Sequence, residues 1–150
     1  MTDEESAAPA DTGERSPAVE AGLAVRREVM GADFVERALS RTAGTDGEAL
    51  QEFVSEHVWG AVWNRPGLDR RSRSLLNLGM LIALRAHGEL RGHVRGALRN
   101  GLTRTEIVEA VIHASAYCGA PAGLSAMAVV QEALEAELGP LPTEDRPTED

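Results

Sequence analysis

Glu89 and His93 are the two residues of this sequence whose types and spacing best suit acid–base chemistry. They lie four residues apart in the stretch HGELRGHVRGALRNG, whose apolar residues have helical spacing and whose glycines leave room beside them. Side chains four residues apart on a helix point about 40° apart, so this carboxylate and this imidazole can form a hydrogen bond. That bond would fix the tautomer of the ring and raise its basicity. We predict that His93 is an acid–base group assisted by Glu89; the alternative is an exposed pair that only stabilises the helix.

Arginines near one turn are the candidates for holding an anionic substrate. The chain has no lysine, which excludes Schiff-base chemistry, so its fifteen cationic side chains are all guanidinium groups. A guanidinium can hold a carboxylate through two parallel hydrogen bonds. We predict that one or two of the arginines before a long apolar segment bind substrate, while the others face solvent. The candidates are Arg65, Arg70 and Arg73, with Arg71 beside them.

Aromatic and sulfur side chains supply candidate walls for a substrate pocket. Trp59 and Trp63 lie four residues apart on one predicted helix, where they can line a cavity or simply pack in the core. Tyr117 and Cys118 lie where another predicted helix breaks, and this break can open onto a pocket; the alternative for Cys118 is a small buried thiol. His113, on an apolar helix face, is more typical of a core residue. The sequence contains no phosphate-binding glycine loop, no nucleophile elbow and no convincing metal-binding motif.

Helices must position these residues, because apolar positions recur every three or four residues and nothing alternates at period two for long. The pattern predicts an all-α fold of six or seven helices. Capping patterns indicate helix starts at Asp33 with Glu36, at Asp69, and at Thr103 with Glu106. The predicted helices cover about residues 19–30, 33–43, 45–63, 70–86, 87–99, 103–117 and 121–138.

Charge and composition separate one domain from two tails. Residues 1–20 contain six acidic residues against one arginine, and residues 141–150 contain four against one. Both ends are also rich in proline, serine, threonine and alanine, and such segments cannot bury enough apolar surface to become ordered. We therefore predict disordered tails at 1–20 and 140–150 around a single domain at 21–139.

The same composition argues against several classes of partner. Acidic tails repel phosphate and the middle of the chain has no basic excess, so a nucleic-acid partner is not expected. The longest apolar run, LLNLGMLIAL, is shorter than the roughly 20 residues that span a bilayer, and no signal peptide is visible. A single cysteine cannot form an internal disulfide, so we expect a cytoplasmic protein without a membrane partner.

The central helices are too apolar for a small monomer. The segments SLLNLGMLIALRA and VEAVIHASAYCGAPAGLSAMAVVQEAL are apolar around much of their circumference and rich in alanine and glycine. Helices of this kind are buried on more than one side. A homo-oligomer that buries them between subunits is the expected state, and a compact monomeric bundle is the alternative.

Residues 21–138 resemble the 4-carboxymuconolactone decarboxylases. The pieces RPGLDRRSRSL, ELxxHxxxALxNGLTxxEI and YCGxPA occur in the order found in that family, and GLAVRREVMGADFVERAL resembles its N-terminal segment. The resemblance implies an AhpD-like helical bundle assembled as a trimer or hexamer. It also implies decarboxylation of γ-carboxymuconolactone, a small organic acid, without a cofactor.

The resemblance carries over unevenly from residue to residue. In the related peroxidases two cysteines stand seven and four residues before the histidine that matches His93; here those positions are Ala86 and Glu89, so a thiol peroxidase is excluded. Glu89 and His93 match what the decarboxylases carry. The decarboxylases read Trp-Gly-Glu where this chain reads WGA, ending at Ala61, so one family carboxylate is missing.

Three functions remain compatible with these residues. A decarboxylase must orient the departing carboxylate, stabilise an enolate and deliver one proton, and we assign the proton to His93 with Glu89. A repurposed cyclase, isomerase or decarboxylase of specialised-metabolite biosynthesis, for example of polyketides, is the second reading, and Ala61 favours it over aromatic-acid breakdown. A non-catalytic oligomeric binding protein is the third.

Overall fold

The computed structural model describes residues 15–142, and this part of the chain folds into seven helices without a strand. The predicted all-α fold is therefore confirmed. The helices are α1 (Pro17–Met30), α2 (Ala32–Thr42), α3 (Gly47–Val54, continued by a π-helical segment, Ser55–Val62), α4 (Arg70–Ala83), α5 (His87–Arg99), α6 (Arg104–Cys118) and α7 (Ala120–Leu138).

The first helix begins earlier than the sequence pattern indicated. Ser16 caps it by accepting a hydrogen bond from the backbone of Val19, and a proline occupies its first turn. Residues 17–20, which we predicted to belong to the acidic tail, are therefore helical. The rest of the predicted tails, at 1–14 and 143–150, lies outside the described residues.

Local capping signals explain most of the remaining helix bounds. The predicted capping box at Thr103 and Glu106 forms in both directions, and Asp69 accepts from the backbone of Ser72 at 2.8 Å. The predicted box at Asp33 is wrong. Helix α2 already begins at Ala32, and the Asp33 carboxylate pairs with Arg37 and Arg95 instead of capping the helix.

Two apolar cores meet along α5. One core lies between α4, α5, α6 and α7, to which α5 contributes Leu90, Val94 and Ala97. The other lies between α1, α2 and the π segment and contains both tryptophans. At Gly92 and Gly96 an added Cβ would come within 2.8 Å of the side chains of α1 and α2, so these glycines let α5 approach the second core closely. His93 lies between them, at the junction of the two cores.

A second close approach fixes α1 against the π segment. A Cβ at Gly22 would lie only 1.7 Å from the Ser55 carbonyl oxygen, so no larger residue fits there without a backbone shift. The Ser55 side chain is fully buried and donates to the Gln51 carbonyl at 2.7 Å. This contact sets which side chains of α1 face the tryptophans of the π segment.

None of the helices between residues 15 and 142 combines the length and the apolar character that crossing a membrane requires.

Candidate active site

His93 lies on the inner side of α5 against the two tryptophans. Its ring is nearly parallel to that of Trp59, with 6.2 Å between centroids and 5° between planes, and its centroid is 6.4 Å from that of Trp63. The two indoles are themselves 5.1 Å apart and each is 5% exposed. The structure therefore brings together three of the predicted site residues as one aromatic cluster.

Asn77 of α4, rather than Glu89, is the polar neighbour of the imidazole. Its Nδ2 lies 3.5 Å from His93 Nδ1, which is long for a hydrogen bond. Because an amide N–H can only donate, a hydrogen bond at this contact requires Nδ1 to be the acceptor. The expected hydrogen bond between Glu89 and His93 is not formed among the described residues. Glu89 is exposed on the first turn of α5 and acts on the ring only through its charge.

Burial governs the protonation of His93. Removal from water lowers the pKa of its imidazole from 6.5 to about 4, and the positive charge of Arg26 lowers this pKa in the same direction. The Glu89 carboxylate opposes both effects. In the free protein the ring is therefore neutral at neutral pH, and a neighbouring negative charge would favour its protonation.

This pKa makes stability depend on pH. Because the folded-state pKa lies below that of an unfolded histidine, the unfolded chain binds the proton first as the pH falls from about 6.5 to about 4. The contribution of neutral His93 is complete above that window and is lost within it. We expect the free energy of unfolding of the wild type to fall by up to about 3 kcal/mol more than that of His93→Gln across the window. Urea unfolding of both proteins at pH 7 and pH 4.5 measures this, and parallel losses would contradict the shifted pKa.

Arg26 of α1 is the charged residue that the sequence analysis missed. It is only 8% exposed, and its guanidinium carbon lies 5.8 Å from the centroid of the Trp59 ring. Its Nη1 donates to Gln51 Oε1 at 2.8 Å, whereas its Nε is buried without a partner in the described part of the chain. Burial lowers the pKa of this guanidinium. A sequence signal existed, because Arg26 lies in the apolar stripe of α1 between Leu23 and Val29.

The arginines near the turn have structural partners instead. Arg73 donates to the carbonyl oxygens of Leu68 and Arg65, both at 3.0 Å, and so closes the loop between the π segment and α4. Arg70 pairs with Glu28 of α1 at 2.6 Å. Arg65 itself is exposed in the loop. Arg73 thus holds the loop and Arg70 joins α4 to α1. No hydrogen bond or ion pair among residues 15–142 joins any of these three predicted substrate ligands to His93.

Tyr117 and Cys118 line a groove of about 520 Å³ between α4 and α6. Tyr117 is 80% exposed and Cys118 is exposed, which overturns the alternative of a buried thiol. His113, expected in the core, is also exposed and lies against Tyr117 with 5.0 Å between ring centroids. His93 is not among the residues that line this groove. The structure thus separates the pair at the end of α6 from the aromatic cluster.

Ala61 occupies the position at which the resemblance to the decarboxylases implies a glutamate. It is exposed on the π segment, whereas Trp59 and Trp63 on either side of it are buried. In the protomer the position of the missing carboxylate is therefore on the exposed side of the π segment.

Comparison with known proteins relates this geometry to a family. The model of the carboxymuconolactone decarboxylase family matches residues 48–132. The chain is 50% identical over 113 residues to the nitrosuccinic acid decarboxylase of Metarhizium robertsii, which covers 75% of this chain and 78% of that protein. It is 41% identical over 121 residues to the 4-carboxymuconolactone decarboxylase of Acinetobacter baylyi, which covers 81% and 89%. The match to the family model includes the tryptophans and His93 but leaves Arg26 outside.

Proposed function

The chain belongs to the carboxymuconolactone decarboxylase family, and we propose that it removes CO2 from a small organic acid whose leaving carboxylate is attached next to an electron-withdrawing group. The observation that carries this proposal is the similarity to two decarboxylases named for such acids. In nitrosuccinic acid the acceptor is a nitro group, and in 4-carboxymuconolactone it is a conjugated lactone carbonyl. In both acids the substrate itself can delocalise the electron pair, so the proposed reaction needs no cofactor.

His93 supplies the proton in the proposed reaction. The bond between carbon and the carboxylate breaks, CO2 leaves, and the electron pair moves into the nitro or carbonyl acceptor. The imidazolium of His93 then protonates a carbon of the delocalised anion, which in nitrosuccinic acid is the carbon that lost CO2, and the neutral ring takes up its next proton when another substrate binds. Glu89 assists through its charge, which favours the protonated ring.

The surroundings of His93 suit this sequence of steps. In the free protein the ring is neutral, because burial holds its pKa at about 4. A substrate carboxylate beside the ring adds the negative charge that raises this pKa, so the imidazole takes up a proton when substrate binds. The flat, apolar faces of Trp59 and Trp63 exclude water from one side of the ring and strengthen this interaction.

A direct assay tests the proposed reaction. Purified protein is incubated separately with nitrosuccinic acid and with 4-carboxymuconolactone, and substrate loss is followed by NMR together with released CO2. We expect decarboxylation of one of the two acids, with nitrosuccinic acid as the first candidate because of the 50% identity. Spontaneous CO2 loss is subtracted with a no-enzyme sample. If neither acid loses CO2 faster with wild-type protein, the proposal is wrong for these substrates.

A repurposed family member, acting as a cyclase, isomerase or decarboxylase in specialised-metabolite biosynthesis, remains the second candidate. The 50% identity to a nitrosuccinic acid decarboxylase supports the decarboxylase form of this candidate, and Ala61 in place of the expected glutamate remains the sequence feature that favours it. A non-catalytic binding protein is the remaining alternative, and decarboxylation of either acid in the same assay excludes it.

We also propose that the protein is a homo-oligomer, a trimer or a hexamer. Large apolar side chains on α4, α6 and α7 remain exposed in the protomer, including Leu76, Leu84, Ile112 and Leu124. Contiguous exposed apolar surface of this kind is typical of subunit interfaces. Analytical ultracentrifugation measures the state directly, and a sedimenting monomer would contradict the proposal.

A further inference from the structure

We propose that Arg26 binds a carboxylate of the substrate, and that this is the carboxylate which the product retains. The inference rests on the proposed decarboxylation and names its substrate class: an acid with at least two carboxylates, one lost and one held. Arg26 lies outside the residues that match the family model, on a helix that precedes them.

The first observation is a buried cation without an anion. Arg26 is 8% exposed, and its hydrogen-bond partner in the described part of the chain is the neutral amide of Gln51. Its buried Nε has no partner there. A buried charge is costly unless it is paired, so the site is suited to an anion that arrives from outside. The remaining N–H groups of a planar guanidinium match a carboxylate well.

The second observation is the position of Arg26 relative to His93. Both groups lie against the same indole, with the guanidinium carbon 5.8 Å and the imidazole centroid 6.2 Å from the centroid of Trp59. An acid with two carboxylates bound beside this indole is the kind of ligand that can contact both groups. The charge of Arg26 also reaches the ring, since it contributes to the lowered pKa of His93.

Electrostatics decides which carboxylate Arg26 holds. A cation paired with the leaving carboxylate would stabilise the substrate more than the transition state, because that negative charge moves away as CO2 departs. A cation paired with the retained carboxylate stabilises both states equally and so contributes to binding. The leaving carboxylate then lies against the apolar faces of the indoles, away from Arg26, where no cation holds its charge as CO2 departs. Both acids named in the relatives carry a second carboxylate that decarboxylation leaves in place.

Pairing at Arg26 also links substrate binding to the proton at His93. A bound carboxylate neutralises the guanidinium, which removes one of the two causes that lower the pKa of the imidazole. Binding and protonation therefore support each other. The groups near the ring that carry charge in this account are Arg26 and Glu89.

The activity test compares three variants. Arg26→Gln removes the cation, and we expect KM to rise about 10- to 100-fold with a smaller change in kcat. Gln51→Glu has nearly the same shape but places a carboxylate beside Arg26. The guanidinium is then already paired within the protein and is not free to bind a substrate carboxylate. We expect KM to rise at least about 10-fold while the thermal midpoint is unchanged or higher. Arg37→Gln, an equal charge change at an exposed residue paired with Asp33, should leave KM unchanged.

A binding test does not depend on turnover. Trp59 and Trp63 are the only tryptophans of the chain, so their fluorescence reports ligands at this site. Succinate, a dicarboxylate without an electron acceptor, should give a saturable change in the wild type and in Arg37→Gln, and bind at least about 10-fold more weakly to Arg26→Gln and Gln51→Glu. Neutral succinamide should give none.

The outcomes separate this inference from the proposed function. If succinate binding depends on Arg26 but the protein decarboxylates neither acid, carboxylate binding by Arg26 is supported and the proposed decarboxylase function is contradicted. If Gln51→Glu decarboxylates the acid with an unchanged KM, carboxylate binding by Arg26 is contradicted and the decarboxylase function is retained. A loss confined to kcat in Arg26→Gln would also overturn the inference, because it would assign the guanidinium to the developing negative charge. If Arg26→Gln does not fold, Gln51→Glu decides.

Discussion

Replacing His93 with glutamine is expected to lower kcat for the decarboxylated acid by about 10²- to 10⁴-fold, the range that a positioned acid–base group supplies. Glutamine keeps a polar side chain of similar length but cannot take up or release a proton at neutral pH. KM should change little, because binding is assigned to Arg26 and the indoles rather than to the imidazole. Steady-state kinetics on the acid identified by the substrate assay provides both constants.

Two further variants test whether the loss of kcat in His93→Gln arises from the loss of proton transfer by the imidazole. Glu89 is exposed and acts on His93 only through its charge, so Glu89→Gln should lower kcat by no more than about 10-fold. His113 is an exposed histidine on α6, and His113→Gln should behave as the wild type. A folded His93→Gln protein with the wild-type kcat would remove His93 from the mechanism. Tryptophan fluorescence shows whether the aromatic cluster is intact in each variant.

The second large effect concerns the fold that holds the site. Gly22→Ala is expected to destabilise the protein by about 3 kcal/mol or more, because its Cβ would lie 1.7 Å from a backbone oxygen of Ser55. A backbone atom cannot move aside as a flexible side chain can, so α1 and the π segment must separate. That separation would also pull Arg26 away from Trp59. Urea unfolding measures the loss, and tryptophan emission should shift to the red in the native state.

Gly88→Ala is the matched control for this substitution. Gly88 is also helical, but no atom lies within 4 Å of a Cβ built there. The alanine should be neutral or stabilising by up to about 1 kcal/mol, since glycine is a poor helix former. Equal stabilities of the two variants would mean that α1 and the π segment are not packed as closely as described.

The helices were predictable because their signals are local. Apolar residues at every third or fourth position and capping side chains such as Asp69 and Thr103 act within one or two turns, and the structure begins α4 and α6 directly after them. The capping box predicted at Asp33 does not form, and it shows the limit of such local signals. The Asp33 carboxylate pairs with arginines instead, one of which is 62 residues away in the sequence. A partner at that distance cannot be predicted from the local sequence.

The π segment could not be predicted for the same physical reason. Residues 55–62 continue the apolar pattern of α3, and the sequence indicated a single α-helix to about residue 63. The backbone of this segment lies against Gly22, which is more than 30 residues earlier in the chain. The register of the segment is thus set by packing against α1. Such π segments occur frequently at functional sites, and here this one carries Trp59.

The sequence singled out His93 and the two tryptophans as site residues but did not single out Arg26. His93 and the two tryptophans, which were chosen on two different predicted helices, lie together in the structure, whereas Glu89 makes no hydrogen bond to the ring. The arginine was sought where arginines are dense in sequence. Those residues hold a loop and a helix contact, whereas the buried guanidinium came from the apolar stripe of α1. A charge within an apolar stripe is a stronger signal of a site than a cluster of charges near a turn, because only the former must be buried.

Imidazole rescue of His93→Ala tests most directly whether this ring moves the proton. The substitution leaves a space beside Trp59 and Trp63, and added imidazole or substituted imidazoles can occupy it as the missing acid. We predict that His93→Ala loses at least about 10²-fold in kcat, and that the rate rises with imidazole concentration and changes with the pKa of the imidazole used. A folded His93→Ala protein that decarboxylates at the wild-type rate without imidazole would contradict the mechanism.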